Sequence, residues 1–261
     1  MKTILPCTLG MALLLVSPGC GPRAASPGPA FPGEPATEPT PGIDEAADAE
    51  ALARAIADAS VAESGEEVHD LIALVPGHPG SRWRNDPDGT QRVLVVTWTN
   101  WLGYQDSIGK SIDLGREQWV TAVPEVQRFC QRSGLTSEAL VHRLEQYLGL
   151  RPDARKSHFA SFWVDPRQVV RPCPDPEVTD TTCSATAAPT DVTIGSHTHV
   201  SWFEKLKESS YGEDGYPWTR LGYTYDWGSP SGERGASEFL LPAGTPVIVE
   251  SFIFTEDYCK P

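Results

Sequence analysis

The sequence predicts a single disulfide-stabilised α+β domain, with a mixed or antiparallel sheet and several short helices. Three observations carry this. Strand-like and helix-like segments are mixed without regular βαβ alternation. The globular patterning covers 83–261, about one domain's worth of chain. Four of the six cysteines lie in that region, an even number suited to two disulfides.

The elements follow in chain order. Ile43 to Ala59 (IDEAADAEALARAIADA) has good helix formers and an acidic first turn. Only Leu52 and Ile56 give it an apolar stripe, so 43–82 is expected to be a marginal helical stalk. Within it, Val68, Leu71, Ile72 and Val75 fall at helical spacing and predict a second short helix over 66–75.

Gln91 to Thr99 (QRVLVVTWT) is β-branched and apolar, hence a buried strand. Pro124 can open a helix that runs to Arg132 and stops at Gly134. Ser137 to Leu148 is a second helix, with Leu140, Leu144, Tyr147 and Leu148 on one face. Phe159 to Val164 reads as a strand, and Cys173 to Pro189 as a loop. Ser201 and Glu204 form a capping box for a helix to about Ser209. Ser237–Leu241 and Pro246–Phe254, joined by Pro-Ala-Gly-Thr, predict a hairpin. No internal repeat is visible.

The N-terminus gives the address. Met1-Lys2-Thr3 is followed by an apolar run to Val16, too short to span a bilayer, and then Ser17-Pro18-Gly19-Cys20. Gly19-Cys20 after such a run resembles the lipobox of bacterial lipoproteins. The resemblance implies a signal peptide over 1–19 and acylation (palmitate) of Cys20. It also implies a lipid-anchored domain of the cell envelope, facing the periplasm or exterior. Behind Cys20, 20–42 is Pro/Gly-rich and suits an extended tether.

Cys7 would leave with the signal. The remaining Cys130, Cys173, Cys183 and Cys259 allow three connectivities. Pairing the nearest two gives Cys173–Cys183, which leaves Cys130–Cys259. No CxxC is present, so zinc has little support, and no metal or other cofactor is implied. The formal charge of −14 disfavours nucleic acid and anionic lipid as partners. Beyond the membrane reached through the lipid, the expected partner is a carbohydrate, a peptide or an envelope protein.

Chemistry-bearing patterns are few. Gly103 to Ser111 imitates a P-loop but has five residues between its glycines where phosphate wrapping needs four. His197-Thr198-His199 would put two imidazoles on one side of an extended chain, as base, acid or ligands, with Arg220 as anion clamp. It resembles only superficially the HxT motif of two-histidine phosphodiesterases, a family that needs a second such motif. Tyr223, Tyr225 and Trp227 alternate and share one strand face. With Tyr216, Trp218, Arg220, Asp226 and Glu238 they form the candidate ligand-binding set, by ring stacking and hydrogen bonding. The opposing reading buries the aromatic face in the core. Asp175, Glu177 and Asp180 crowd one loop but fit no EF-hand spacing. GxSxG, HExxH and SxxK are absent. Three functions remain: a binding module, a hydrolase using His197 and His199, and an envelope assembly protein without a small ligand.

Overall fold

The computed structural model describes residues 43–186, 190–212 and 214–261. The expected signal (1–19), Cys20 and the tether (20–42) lie outside the described residues. In chain order the elements are α1 (Glu45–Ala59), β1 (Arg82–Asn85), β2 (Gln91–Thr99), β3 (Ser111–Asp113), β4 (Gln118–Ala122), α2 (Glu125–Ser133), α3 (Ser137–Tyr147) and β5 (His158–Val164). There follow β6 (Thr193–Ile194), β7 (His197–Thr198), α4 (His199–Ser210), β8 (Tyr223–Tyr225), β9 (Arg234–Leu241), β10 (Pro246–Phe254) and α5 (Thr255–Tyr258). The fold is α+β, as expected, and every strand pair is antiparallel.

The main sheet runs β3-β10-β5-β2-β4-β9-β8, with β1 beside β2. β2 and β5 are its central strands. Val93 to Thr99 of β2 and all of β5 are buried, which is why both read as near-continuous apolar runs rather than alternations. The sheet must curl. β9 and β10 stand four strand spacings apart in it, about 19 Å if flat. Only Pro242 to Thr245 joins them, and five Cα steps reach at most about 18 Å. Curling brings Val95, Val120, Phe162, Phe239 and Val249 from five strands into one inner core. Leu94, Val96, Trp98, Phe159 and Ala236 point the other way, and α2, α3 and α5 cover part of that outer face.

Several expectations need correction. The two last strands exist, but β9 pairs with β4 and β8 while β10 pairs with β5 and β3, so there is no hairpin. The segment 66–75 is not a helix; a 3₁₀ turn at Ser64–Glu66 precedes a stretch without regular secondary structure. There Leu71 N–H donates to the Thr181 carbonyl, Ile72 N–H to Ser237 Oγ and Leu74 N–H to the Val178 carbonyl. The expected marginal helical stalk over 43–82 is helical only at α1 and the Ser64–Glu66 turn, and α1 packs against the rest of the chain. Leu52 and Ala55 of α1 pack on Trp227, and Asp48 lies 2.7 Å from His142. Finally, α4 starts at His199, and the cap is Thr198, whose hydroxyl accepts from Ser201 N–H, in place of the expected Ser201.

Both expected disulfides are present. Cys130–Cys259 ties α2 to the C-terminal turn, and Cys173–Cys183 closes a loop over the fully buried Arg171. That guanidinium donates to the carbonyls of Ile72, Glu177 and Asp180 and lies over the Phe239 ring, so it anchors the loop to the inner core.

Candidate functional site

A cavity of about 680 Å³ opens on the outer face of the sheet at its β4–β9 side. Strand register builds its floor. Val96 of β2 stands opposite Thr121 of β4, and Thr121 opposite Glu238 of β9. Side chains two apart share a face, so Trp98 and Trp119 join that row, and Phe159 stands opposite Trp98. The walls come from the loop after α3 (148–156), the end of α4 (Leu206, Ser209, Ser210) and the Tyr216–Trp218 turn.

Each wall has an identifiable anchor. Gly149 adopts φ +64°, and a Cβ there would meet the Tyr225 backbone at 3.2 Å, so glycine lets this loop approach β8. Trp218 packs edge-on to Trp119 at 6.3 Å, and its indole donates to the Pro172 carbonyl. Tyr216, 48% exposed, stands at the mouth. At the rim Arg151 pairs with Asp214 at 3.2 Å and approaches Asp153 at 3.6 Å, with Lys156 alongside.

Glu238 is the unusual group. It opens onto the cavity, yet among the described residues its carboxylate has no hydrogen-bond or ion-pair partner. Burial alone pushes its pKa up to about 8, with no cation offsetting it. Glu125 contrasts with it. Burial raises that carboxyl to about 7, but it accepts from the backbone and hydroxyl of Ser237.

The sign of the Glu238 effect is testable. A carboxyl whose pKa is raised by folding stabilises the fold below its usual range and loses that contribution as pH climbs through about 8. Glu238→Gln cannot ionise. It should match wild type near pH 4.5 and exceed it by roughly 2–4 kcal/mol at pH 8 in urea melts. An unchanged difference at the two pH values would contradict the burial argument.

The sequence-predicted residues divide sharply. Tyr216, Trp218, Tyr225 and Glu238 line this cavity. Tyr223 does not: it is buried, and its hydroxyl donates to Glu233 at 2.6 Å. Asp226 is buried in a bidentate pair with Arg143, at 2.8 and 2.6 Å. Arg220 donates to the Ala59 and Ser60 carbonyls and so caps the end of α1, which occupies the group expected to clamp an anion. Trp227 is core, and Tyr225, half-buried, donates to Asp58. Thr224 and Asp226 are buried too, so Tyr225 is the one residue of 223–227 that is not buried, and it lines the cavity beside Thr224.

The histidine pair is also parted. The strand-to-helix junction at Thr198 leaves His197 exposed and turns His199 inward, 2% exposed, between Trp202 and Phe203. Burial lowers the His199 pKa, and its Nε2 has no partner among the described residues. The acids of the 173–183 loop serve the backbone: Glu177 accepts from Thr179 and Asp180 N–H, and Asp180 from Thr182. In the P-loop look-alike, Leu102–Ser107 is 3₁₀ and Lys110 Nζ donates to the Asp106 carbonyl.

Sequence reasoning missed Trp98, Trp119, Thr121 and the whole 148–156 wall. Isolated tryptophans in two strands give no local signal; only the register of β2, β4 and β9 brings them together.

The fold and cavity define a class: a disulfide-bonded α+β domain on a curled antiparallel sheet, with an aromatic-lined cavity on its outer face. No protein-family model matches the chain, and neither a curated protein nor a solved structure matches it. Among the described residues no helix is long and apolar enough to cross a membrane. The two disulfides fit an extracytoplasmic domain.

Proposed function

We propose that this chain is a lipid-anchored extracytoplasmic binding protein and that the cavity over β2, β4 and β9 is its ligand site. One observation carries the reading. A space of ligand size has aromatic walls and a single partnerless carboxyl in its floor. Trp119, Trp218 and Tyr216 offer ring faces, while Thr121, Ser209 and Glu238 offer hydrogen bonds. That mixture suits a sugar ring or a peptide side chain. The hydrolase alternative loses its support, because His197 and His199 face opposite environments and Arg220 is engaged elsewhere.

Ligand-observed NMR with a panel of monosaccharides, amino sugars and short peptides tests the site. Ala154, half-buried, lines the cavity in the 148–156 wall. Ala154→Trp should abolish the hits while shifting the melting temperature by no more than about 2 °C. No hits, or hits indifferent to Ala154→Trp, would overturn the reading.

Anchoring is the second half of the proposal and rests on Gly19-Cys20. Protein extracted from membranes should carry two or three acyl chains on Cys20, since one chain gives only marginal attachment. An intact mass corresponding to an unmodified soluble chain would contradict it.

A further inference from the structure

We infer that the cavity selects a ligand carrying a protonated amine, seated between the Glu238 carboxylate and the surrounding aromatic rings. This rests on the reading of the cavity as a ligand site and names the ligand's chemistry.

Among the described residues no cation offsets Glu238: Lys156 lines the same cavity, but burial is the sole cause of the raised Glu238 pKa. Arg151 turns to Asp214 and Asp153 at the rim, Arg220 to the carbonyls ending α1, and Arg143 to Asp226. An ammonium group from the ligand would give Glu238 the partner it lacks. Register fixes that carboxyl opposite Thr121, diagonal to Trp119, with Trp98 and Phe159 further along the same face. Ring faces attract cations through their quadrupoles, and more strongly away from water. The formal charge of −14 also draws cationic ligands toward the protein and repels anionic ones.

The state of Glu238 is compatible with this. A carboxyl held at about 8 by burial ionises near neutral pH at a cost of roughly tenfold or less in binding. The competing arrangement keeps it protonated as a donor to a neutral hydroxyl or carbonyl. An isosteric pair of probes separates the two.

Phenethylamine and 2-phenylethanol share ring and chain length and differ in charge. Calorimetry on the full-length protein at pH 7.5 should show the amine binding at least about tenfold tighter, the typical worth of a charge-assisted hydrogen bond. In Glu238→Gln, close in shape and free of the buried charge, that preference should fall to about twofold or less. Equal binding of amine and alcohol would overturn the inference and leave the cavity reading standing. A preference that survives in Glu238→Gln would overturn the assignment to Glu238. Binding of neither probe would remove the inference. The panel and Ala154→Trp then decide separately whether the cavity binds anything.

Discussion

Replacing Cys130 and Cys259 together by serine should lower the unfolding free energy by about 4–5 kcal/mol. The two residues are 129 apart, so their bond removes a large part of the unfolded chain's freedom. The native turn has other supports. Gln127 donates to the Tyr258 carbonyl, Gln131 to the Lys260 carbonyl, and Tyr258 stacks on Phe159 at 4.1 Å. The variant should therefore fold, with its loss expressed mainly through an expanded unfolded state and a larger m-value. Removing Cys173–Cys183, whose residues are 10 apart, should cost less, about 3 kcal/mol on the same chain-entropy argument. Urea melts of the two double variants compare them directly. Equal losses, or a loss under about 1 kcal/mol for the long loop, would contradict this account.

Trp227→Ala should cost roughly 3–5 kcal/mol. Trp227 is 7% exposed and packs against Leu52 and Ala55 of α1. Its ring meets His142 at 5.8 Å, and its indole donates to the Leu150 carbonyl at 2.9 Å. Truncation removes the surface on which α1 docks and leaves a carbonyl of the cavity wall unpaired. Early protease cleavage within 43–60 should accompany the loss. A change below about 1 kcal/mol would mean that α1 is held by its polar contacts alone: Asp48 to His142, Tyr225 to Asp58, and Arg220 to the Ala59 and Ser60 carbonyls.

Element type was legible wherever burial and local pattern agree. β2 and β5 announce themselves as apolar runs because both faces are covered, and Gly134 ends α2 in the left-handed conformation that glycine favours. Pairing was not legible. Pro242 to Thr245 has turn chemistry, but curling lets a short turn join strands that pair elsewhere. The stretch 66–75 misled for another reason. Its apolar spacing fits a helix, yet Ser237, Thr181 and Val178, from distant parts of the chain, take the N–H groups of Ile72, Leu71 and Leu74. The candidate site was half legible: Tyr216 and Trp218 form a compact aromatic turn, whereas Trp98, Trp119 and Glu238 meet only through register.

The most direct test of the cavity as ligand site is a two-dimensional ¹H–¹⁵N titration of the indole groups with phenethylamine. The chain has eight tryptophans, and only Trp98, Trp119 and Trp218 line the cavity. Their indole resonances should shift and saturate together, while those of Trp83, Trp101 and Trp163 stay in place. Shifts confined to Trp101, 51% exposed just before the Leu102–Ser107 turn, or spread evenly over all eight, would contradict a ligand site on the outer face of β2, β4 and β9.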